Sequence, residues 1–349
     1  MSITIKELAQ LAGTSRGTVD RVLNNRGNVN KDLAKLIIKL AKENNYRPNT
    51  MAKMLIASQN KFKIGVIINS IGNIFYQEVL EGIKKAQYQW QNNFELIIRE
   101  IEGYNSNDFI NAIEELEEIG ISAIAITPVE NNDLTIKINS LKDKGILVAL
   151  INSDSLNCER FVVVEADNTE NGMMAGSLVS LYSNHNHLTR VAIITGSNQN
   201  IGNKLRVDGF TKAINECENN IQIVEIAENQ DNDKKSNEVV ESILNNHKDL
   251  DLIYFCAGGI KGGLEAIEQL QSNVKVITVD MIDVVKEKIN EGKILATITQ
   301  NPFKQGYKPI AILVEKLLFG KNPKNTKIFT ENKVIVKYNN EINTHAIAW

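Results

Sequence analysis

TSRGTVDRVLNNRG, residues 14–27, decides how the first part of the chain is read. Val19, Val22 and Leu23 recur at i, i+3 and i+4, the spacing of one helical face. The opposite face carries Arg16, Thr18 and Arg21. Ser15 stands where a helix N-cap belongs, and Asn25-Arg26-Gly27 ends the run. A solvated helix face ordinarily mixes long charges of both signs. This one sets small residues and forked guanidinium donors near a helix start, which suits contact with an anionic surface.

Working outward, residues 5–12 (IKELAQLA) put Ile5, Leu8, Ala9 and Ala12 on one face, and Gly13-Thr14 turns the chain into the next helix. Two short helices joined by a glycine-containing turn form the helix-turn-helix pattern. A third helix fits 30–45, with Asn30 as N-cap and Leu33, Leu36, Ile37 and Leu40 facing inward. Leu8, Val19, Val22, Leu36 and Leu40 make the expected small core. Tyr46-Arg47-Pro48-Asn49 stops the third helix, since proline disfavours helix at the residue before it. TMAKMLIAS then offers one more short helix ahead of the polar linker SQNK.

Charge divides the chain at the same place. Residues 1–61 hold 11 Lys/Arg and 4 Asp/Glu, a net of +7, whereas the remainder holds 28 and 38, a net of −10. A basic head on an acidic body is the electrostatic footprint of nucleic-acid binding. The 349 residues suit two or three domains, and 43% hydrophobic residues suffice for large cores. No apolar run reaches the roughly 18 residues of a membrane span. The start, MSITIKELAQ, lacks the pattern of a secretory signal, so a cytoplasmic protein is expected. Cys158, Cys217 and Cys256 are odd in number and far apart, which argues against a disulfide framework or a zinc cluster. His185 and His187 lie in a polar loop with no third ligand in view, so no metal site is expected.

From residue 62 the grammar changes. Strands are expected at 62–69, 94–100, 121–127, 146–152, 191–195, 221–226, 251–256 and 274–280. Helices alternate with them at 74–92, 106–119, 131–144, 168–184, 199–217, 233–246, 260–270 and 282–291. Short apolar strands such as VAIIT and LIYFC suit parallel sheets covered on both faces. The fold class is therefore an N-terminal all-α helix-turn-helix domain plus an α/β effector domain of two doubly wound parallel-sheet subdomains. The expected boundaries are a head at 1–47, a hinge helix and linker at 48–61, a ligand-binding domain at 62–340 and a tail at 341–349. Its N-subdomain takes about 62–165 and 299–324, and its C-subdomain about 166–298 and 325–340.

Ligands of doubly wound sheets sit beyond the carboxyl ends of the strands. Those ends are Asn69-Ser70, Thr127-Pro128, Asn152-Ser153-Asp154, Thr195-Gly196, Cys256-Ala257-Gly258, Asp280 and Gln300, with Phe75 and Tyr76 beside the first loop. Amides, hydroxyls and carboxylates next to aromatic faces suit a polyhydroxylated ligand, whose hydroxyls need both donors and acceptors. Catalytic signatures are missing: there is no G-x-S-x-G, P-loop or H-E-x-x-H motif, and GGIKGG lacks the dinucleotide spacing. No enzyme activity and no cofactor are expected.

ITIKELAQLAGTSRGTVDRVLNNRGNVN followed by YRPNTMAKMLIAS resembles the head and hinge of the lactose-repressor/galactose-repressor family of bacterial transcription regulators, continuously over residues 3–57. The body is similar to type I periplasmic sugar-binding proteins of the ribose-binding branch, through GNIFYQEVLEGI, ADNTENG, ITVD and ATITQNPFKQG. The resemblance implies a homodimer, possible as a tetramer, on a near-palindromic double-stranded DNA operator, with a small sugar or polyol as effector. It places Arg16 and Gly17 at positions that vary with operator sequence, Arg16 reaching a guanine in the major groove. It places Thr4, Ser15, Thr18, Asn24 and Asn30 at phosphates, and Arg21 at a base or the backbone. Leu55 matches a leucine wedged into the minor groove, with Ala52 and Lys53 beside it and Asn49 in the Y-x-P-N hinge. In the body it implies contacts at Asn73, Phe75, Tyr76, Asn152, Asp280 and Gln300, with Asp154 near them and Lys204 or Arg206 as the basic partner. The chain departs from the pattern at Asp20, where serine is usual, at Asn152-Ser153 in place of Asp-Arg, and at AGGIKGG. These changes put fewer fixed charges toward the ligand, which departs from pentose recognition in the ribose manner; an inositol-like polyol or another sugar derivative fits as well.

Overall fold

The computed structural model describes residues 3–23, 29–44, 46, 61–184, 186–218 and 220–340. The head and the body are separate compact units. In the head, α1 (Ile5–Leu11) opens with a capping box in which Thr4 and Glu7 satisfy each other's backbone N–H groups. Helix α2 (Arg16–Leu23) follows after Gly13, whose φ of +61° is the left-handed turn conformation that glycine adopts without cost. Helix α3 (Lys31–Glu43) starts at the Asn30 cap. Leu8, Val19 and Ile37 are fully buried, and Leu33 and Leu40 pack against them. Leu36, expected in this core, is 43% exposed. Two short helices cover only a narrow stripe of α3; that stripe is centred on Ile37, and Leu36 falls at its solvent edge.

In the body, β1 (Phe62–Ile71), β2 (Phe94–Glu102), β3 (Ala123–Ile126), β4 (Leu147–Asn152), β5 (Val162–Ala166) and β11 (Lys327–Thr330) form one parallel sheet in the order β11-β5-β4-β3-β1-β2. A second sheet has the order β12-β10-β9-β8-β6-β7. It is built from β6 (Thr189–Thr195), β7 (Ile221–Glu228), β8 (Leu252–Phe255), β9 (Lys275–Val279), β10 (Ile294–Thr299) and β12 (Lys333–Ile335). Only β12 runs antiparallel there. Strand interiors such as Ile64–Ile68 are buried because helices cover both faces. Those helices are α4 (Phe75–Gln89), α5 (Ser106–Ile119), α6 (Asn132–Asp143), α7 (Asn168–Tyr182), α8 (Ile201–Glu216), α9 (Asp233–Asn246), α10 (Ile260–Gln269), α11 (Asp283–Asn290) and α12 (Pro302–Phe319). Among the described residues no helix is long and apolar enough to cross a membrane.

Three short segments carry the chain between the lobes: Ala166 to Asn168, Thr299 to Pro302 and Thr330 to Lys333. The segment 325–340, expected wholly in the second subdomain, is divided by the third crossing. Residues 327–330 extend the first sheet by pairing with β5, and 333–335 join the second. Strands β5, β11 and β12 and helix α12 were not anticipated, and β10 only through its carboxyl end at Gln300. β5 follows β4 through the loop 153–161 without a helix, so the alternation that revealed the other strands is broken there.

Candidate functional sites: a helical head and a two-lobed cleft

In the head, three residues expected at phosphates sit at helix starts. The Thr4 hydroxyl donates to Glu7 Oε2 at 2.8 Å, Ser15 Oγ accepts from Thr18 N at 3.1 Å, and Asn30 Oδ1 accepts from Asp32 N at 2.8 Å. Helix starts concentrate unpaired backbone N–H groups and the positive end of the helix dipole, the local field an anion prefers. Ser15 Oγ and Thr18 Oγ1 lie 2.9 Å apart, so their hydroxyls form one polar pair at the start of α2. Arg16 and Gly17 are exposed, while Val19 and Val22 hold the opposite face in the core. Arg21 is also exposed, and its Nε donates to Gly17 O at 3.3 Å. Asn24, Asn49, Ala52, Lys53 and Leu55 lie outside the described residues, as does His185.

In the body, the carboxyl ends of both sheets meet in one buried polar network. Arg206, on α8, is 6% exposed. Its Nη1 donates to Cys256 O at 2.9 Å and its Nη2 to Gln300 Oε1 at 3.0 Å. Gln300 Nε2 donates to Asp280 Oδ1 at 2.7 Å. Gln305 Nε2 donates to the Gln300 carbonyl at 2.9 Å, and Gln305 Oε1 accepts from Asn152 Nδ2 at 3.0 Å. Asn152 Oδ1 accepts from the Tyr76 hydroxyl at 3.3 Å. Phe75 meets Tyr76 edge to face at 5.1 Å, and Asn73 Oδ1 accepts from Phe75 N at 3.1 Å. The network thus joins residues of both lobes through fixed donors and acceptors.

Backbone conformation aims two of these groups. Asn152 and Asp280 end their strands with φ of 68° and 64°, the left-handed region that Asn and Asp tolerate better than other side chains. Asp280 does not cap the helix after it, since the N-cap of α11 is Ile282, which makes no side-chain cap hydrogen bond. Burial pushes the Asp280 carboxyl up to about 6; Arg206 and the Gln300 hydrogen bond oppose the shift, and Asp231 reinforces it. Burial also raises the Tyr76 phenol, with a further push from Asp231.

Seven of the nine expected ligand positions fall in or beside this network: Asn73, Phe75, Tyr76, Asn152, Arg206, Asp280 and Gln300. Asp154 is engaged elsewhere, in ion pairs with Arg160 and Lys327, and its backbone N donates to Glu165 Oε2 at 2.9 Å. Lys204 is exposed on α8, so the buried basic group is Arg206. Sequence reasoning missed Gln305, Tyr104 and Asp231. The Tyr104 hydroxyl donates to Asp231 Oδ2, and Gly258 N donates to Asp231 Oδ1 at 2.7 Å. Tyr104 and Asp231 follow the ends of the edge strands β2 and β7, so the strand-end rule applied to every strand would have reached them. Gln305 lies one helical turn beyond Gln300, inside the NPFKQG stretch.

The fold and sites define a class: a small helical head on a two-lobed α/β binding body whose polar cleft lies at the carboxyl ends of both sheets. Residues 64–322 match the periplasmic binding protein domain, and residues 4–49 match the bacterial regulatory proteins of the lacI family. Through residues 64–322 the chain belongs to the periplasmic binding protein domain family, and its head carries the regulatory domain of the lacI family. It is 26% identical to the D-ribose/D-allose-binding protein of Pseudomonas aeruginosa over 279 residues, 76% of this chain and 85% of that one. It is 27% identical to the HTH-type transcriptional repressor PurR of Vibrio vulnificus over 220 residues, so the match spans 61% of each. The glucose-galactose binding protein GanP of Geobacillus stearothermophilus shares the body's fold with a TM-score of 0.72 and 25% identity, over 80% of this chain and 98% of that one.

Proposed function

We propose that the chain is a transcription regulator that binds an operator through its head and responds to a small sugar or polyol bound in its body. The observation that carries the effector half is the Arg206–Gln300–Asp280 chain of hydrogen bonds. It sets the Arg206 cation of α8 against an amide and a carboxylate at adjacent strand ends beside the rings of Phe75 and Tyr76, a donor and acceptor set matched to neighbouring hydroxyls. The DNA half rests on α2, which offers Arg16 and Arg21 on its exposed side, and on the capped helix starts at Thr4, Ser15 and Asn30. Two copies bind a near-palindromic site, because a two-fold dimer reads two half-sites. The protein works in the cytoplasm, where its DNA lies, and acts by binding rather than turnover. Leu55 inserts into the minor groove, with Asn49, Ala52 and Lys53 nearby.

Selection from a random double-stranded library with the full chain tests the reading. Enrichment of an inverted repeat, and a change in its affinity on adding a sugar from a panel of aldoses and polyols, are the expected results. Failure to enrich any sequence sinks the regulator reading. An inverted repeat whose affinity no sugar changes sinks the effector reading alone.

A further inference from the structure

We propose that the cleft extends into a second chamber beside β2 and β7, which takes an uncharged, hydroxyl-bearing substituent on the sugar, such as the second ring of a disaccharide or glycoside. The proposal rests on the reading of the cleft as a sugar or polyol site, and it names the form of the ligand. Beyond Asn73 a cavity of about 310 Å³ opens between the loops that follow β2 and β7, lined by Asn69, Asn73, Glu102, Tyr104, Asp231 and Lys235 among others. A neighbouring space of about 20 Å³ is bounded by Asn73, Phe75, Gly258 and Asp280. Asn73 lines both, so a ligand that places one hydroxyl in the small space beside Phe75 and Asp280 would carry the rest of its frame past Asn73 into the larger chamber.

The chamber's chemistry is that of an acceptor. Asn69 is 6% exposed, and its side chain hydrogen-bonds the Tyr76 phenol. Its Oδ1 has no hydrogen-bond partner among the described residues. A buried acceptor left without a donor is costly, and a ligand hydroxyl removes that cost. Asp231 stands across the same space. Each of its oxygens accepts one hydrogen bond, from Gly258 N and from Tyr104, and each keeps a further lone pair. Gln230 and Asp231 both take φ of 55°, two consecutive left-handed residues that turn the loop back toward the cleft. Glu102 adds a second carboxylate, with Lys235 as the cation among these lining residues. A phosphate or carboxylate substituent would therefore meet like charge, and hydroxyls would meet acceptors.

Calorimetric titration of the full chain with matched pairs tests this: D-glucose with cellobiose and maltose, D-galactose with lactose and melibiose, D-xylose with xylobiose, and myo-inositol with galactinol. For the ring that binds, at least one larger partner should bind tenfold tighter or more. In Asn69→Ala and Tyr104→Phe that ratio should fall toward one; Tyr104→Phe keeps the test open if Asn69→Ala does not fold. A monosaccharide that binds as tightly as all its larger partners overturns the chamber and leaves the sugar reading standing. Larger partners that keep their advantage in the folded variants also overturn it. Absence of heat with every sugar overturns the sugar reading itself, and the chamber with it.

Discussion

Asp280→Asn should stabilise the body at neutral pH while weakening its response to sugar. Burial lifts this carboxyl from 3.8 to about 6 in the folded chain. A carboxyl with a raised folded pKa favours the protonated native state, so its contribution is best at low pH and worsens as pH rises from about 4 to about 6. At roughly 1.36 kcal/mol per pKa unit, holding the ionised group in place costs about 3 kcal/mol above pH 7, and about half of that at pH 5. Asparagine is close in shape, and its Oδ1 still accepts from Gln300 Nε2, which donates to Asp280 Oδ1 at 2.7 Å. Calorimetric melting of both proteins between pH 5 and pH 8 is the assay. At roughly 2–4 °C per kcal/mol for domains of 150–250 residues, the variant's melting temperature should exceed the parent's by several degrees at pH 8. The gap should shrink as the solution is acidified. Sugar affinity should fall tenfold or more, because hydrogen bonds to an ionised acceptor are about twice as strong as those to a neutral one. A variant that is less stable at pH 8, or a gap that does not change with pH, would refute the reasoning that Asp280 is a carboxylate kept buried for its ligand.

Gly172→Ala should lower both stability and sugar affinity from a distance. A Cβ there would lie 2.0 Å from the Arg206 carbonyl oxygen, so α8 must retreat by about 1 Å at an overpacking cost of about 1–3 kcal/mol. An unchanged melting temperature with unchanged sugar affinity would show that α8 does not hold Arg206 in register. Gln300→Ala should destabilise the body by about 1–3 kcal/mol and remove most sugar binding, because Arg206 Nη2 and Asp280 Oδ1 lose the amide they share; denaturant melts with calorimetric titration read both. Arg16→Ala should relax base preference at one position per half-site by about 1–3 kcal/mol, whereas Thr18→Ala should weaken all sequences alike, as measured by competition against operator variants. Equal losses on all sequences in both variants would make Arg16 a phosphate contact.

The parts of this molecule legible in its sequence are those where a local rule and the tertiary fold agree. The head was readable because three short helices must each declare a cap and an apolar stripe, and Thr4, Ser15 and Asn30 do so. Strand ends such as Asn152, Asp280 and Gln300 were readable because doubly wound sheets bring their carboxyl ends to one cleft. Leu36 was misread because its burial depends on how far α1 and α2 reach along α3, which no periodicity in α3 encodes. Asp154 stands next to Asn152 in the sequence, and that proximity does not reveal its ion pairs with Arg160 and Lys327. Asp231 and Tyr104 were missed because the strand-end rule was applied to the inner strands and not to the edge strands β2 and β7 that they follow.

The crossings between the lobes bear on how a ligand at Gln300 would move them. Gln300 ends β10 at the second crossing, and Thr330 ends β11 at the third. Thr330 Oγ1 donates to the Gln300 carbonyl at 2.7 Å, and Gln305 Nε2 donates to both Gln300 O and Thr330 Oγ1. Gln300 therefore belongs to the polar network of the cleft through its side chain and to the stitched crossing segments through its backbone. A ligand that draws its amide from Asp280 or Arg206 changes the balance of forces where the chain passes from one lobe to the other. The response it evokes is limited by its difference in affinity for the two lobe arrangements, however tightly it binds. Substitutions at Thr330 should accordingly alter that response with little change in ligand contacts. Thr330→Val keeps the shape and removes the hydroxyl, so sugar affinity should shift by less than the sugar's effect on operator affinity does. If both shift together, the crossing acts only as part of the binding site, and the lobes take their cue from other contacts.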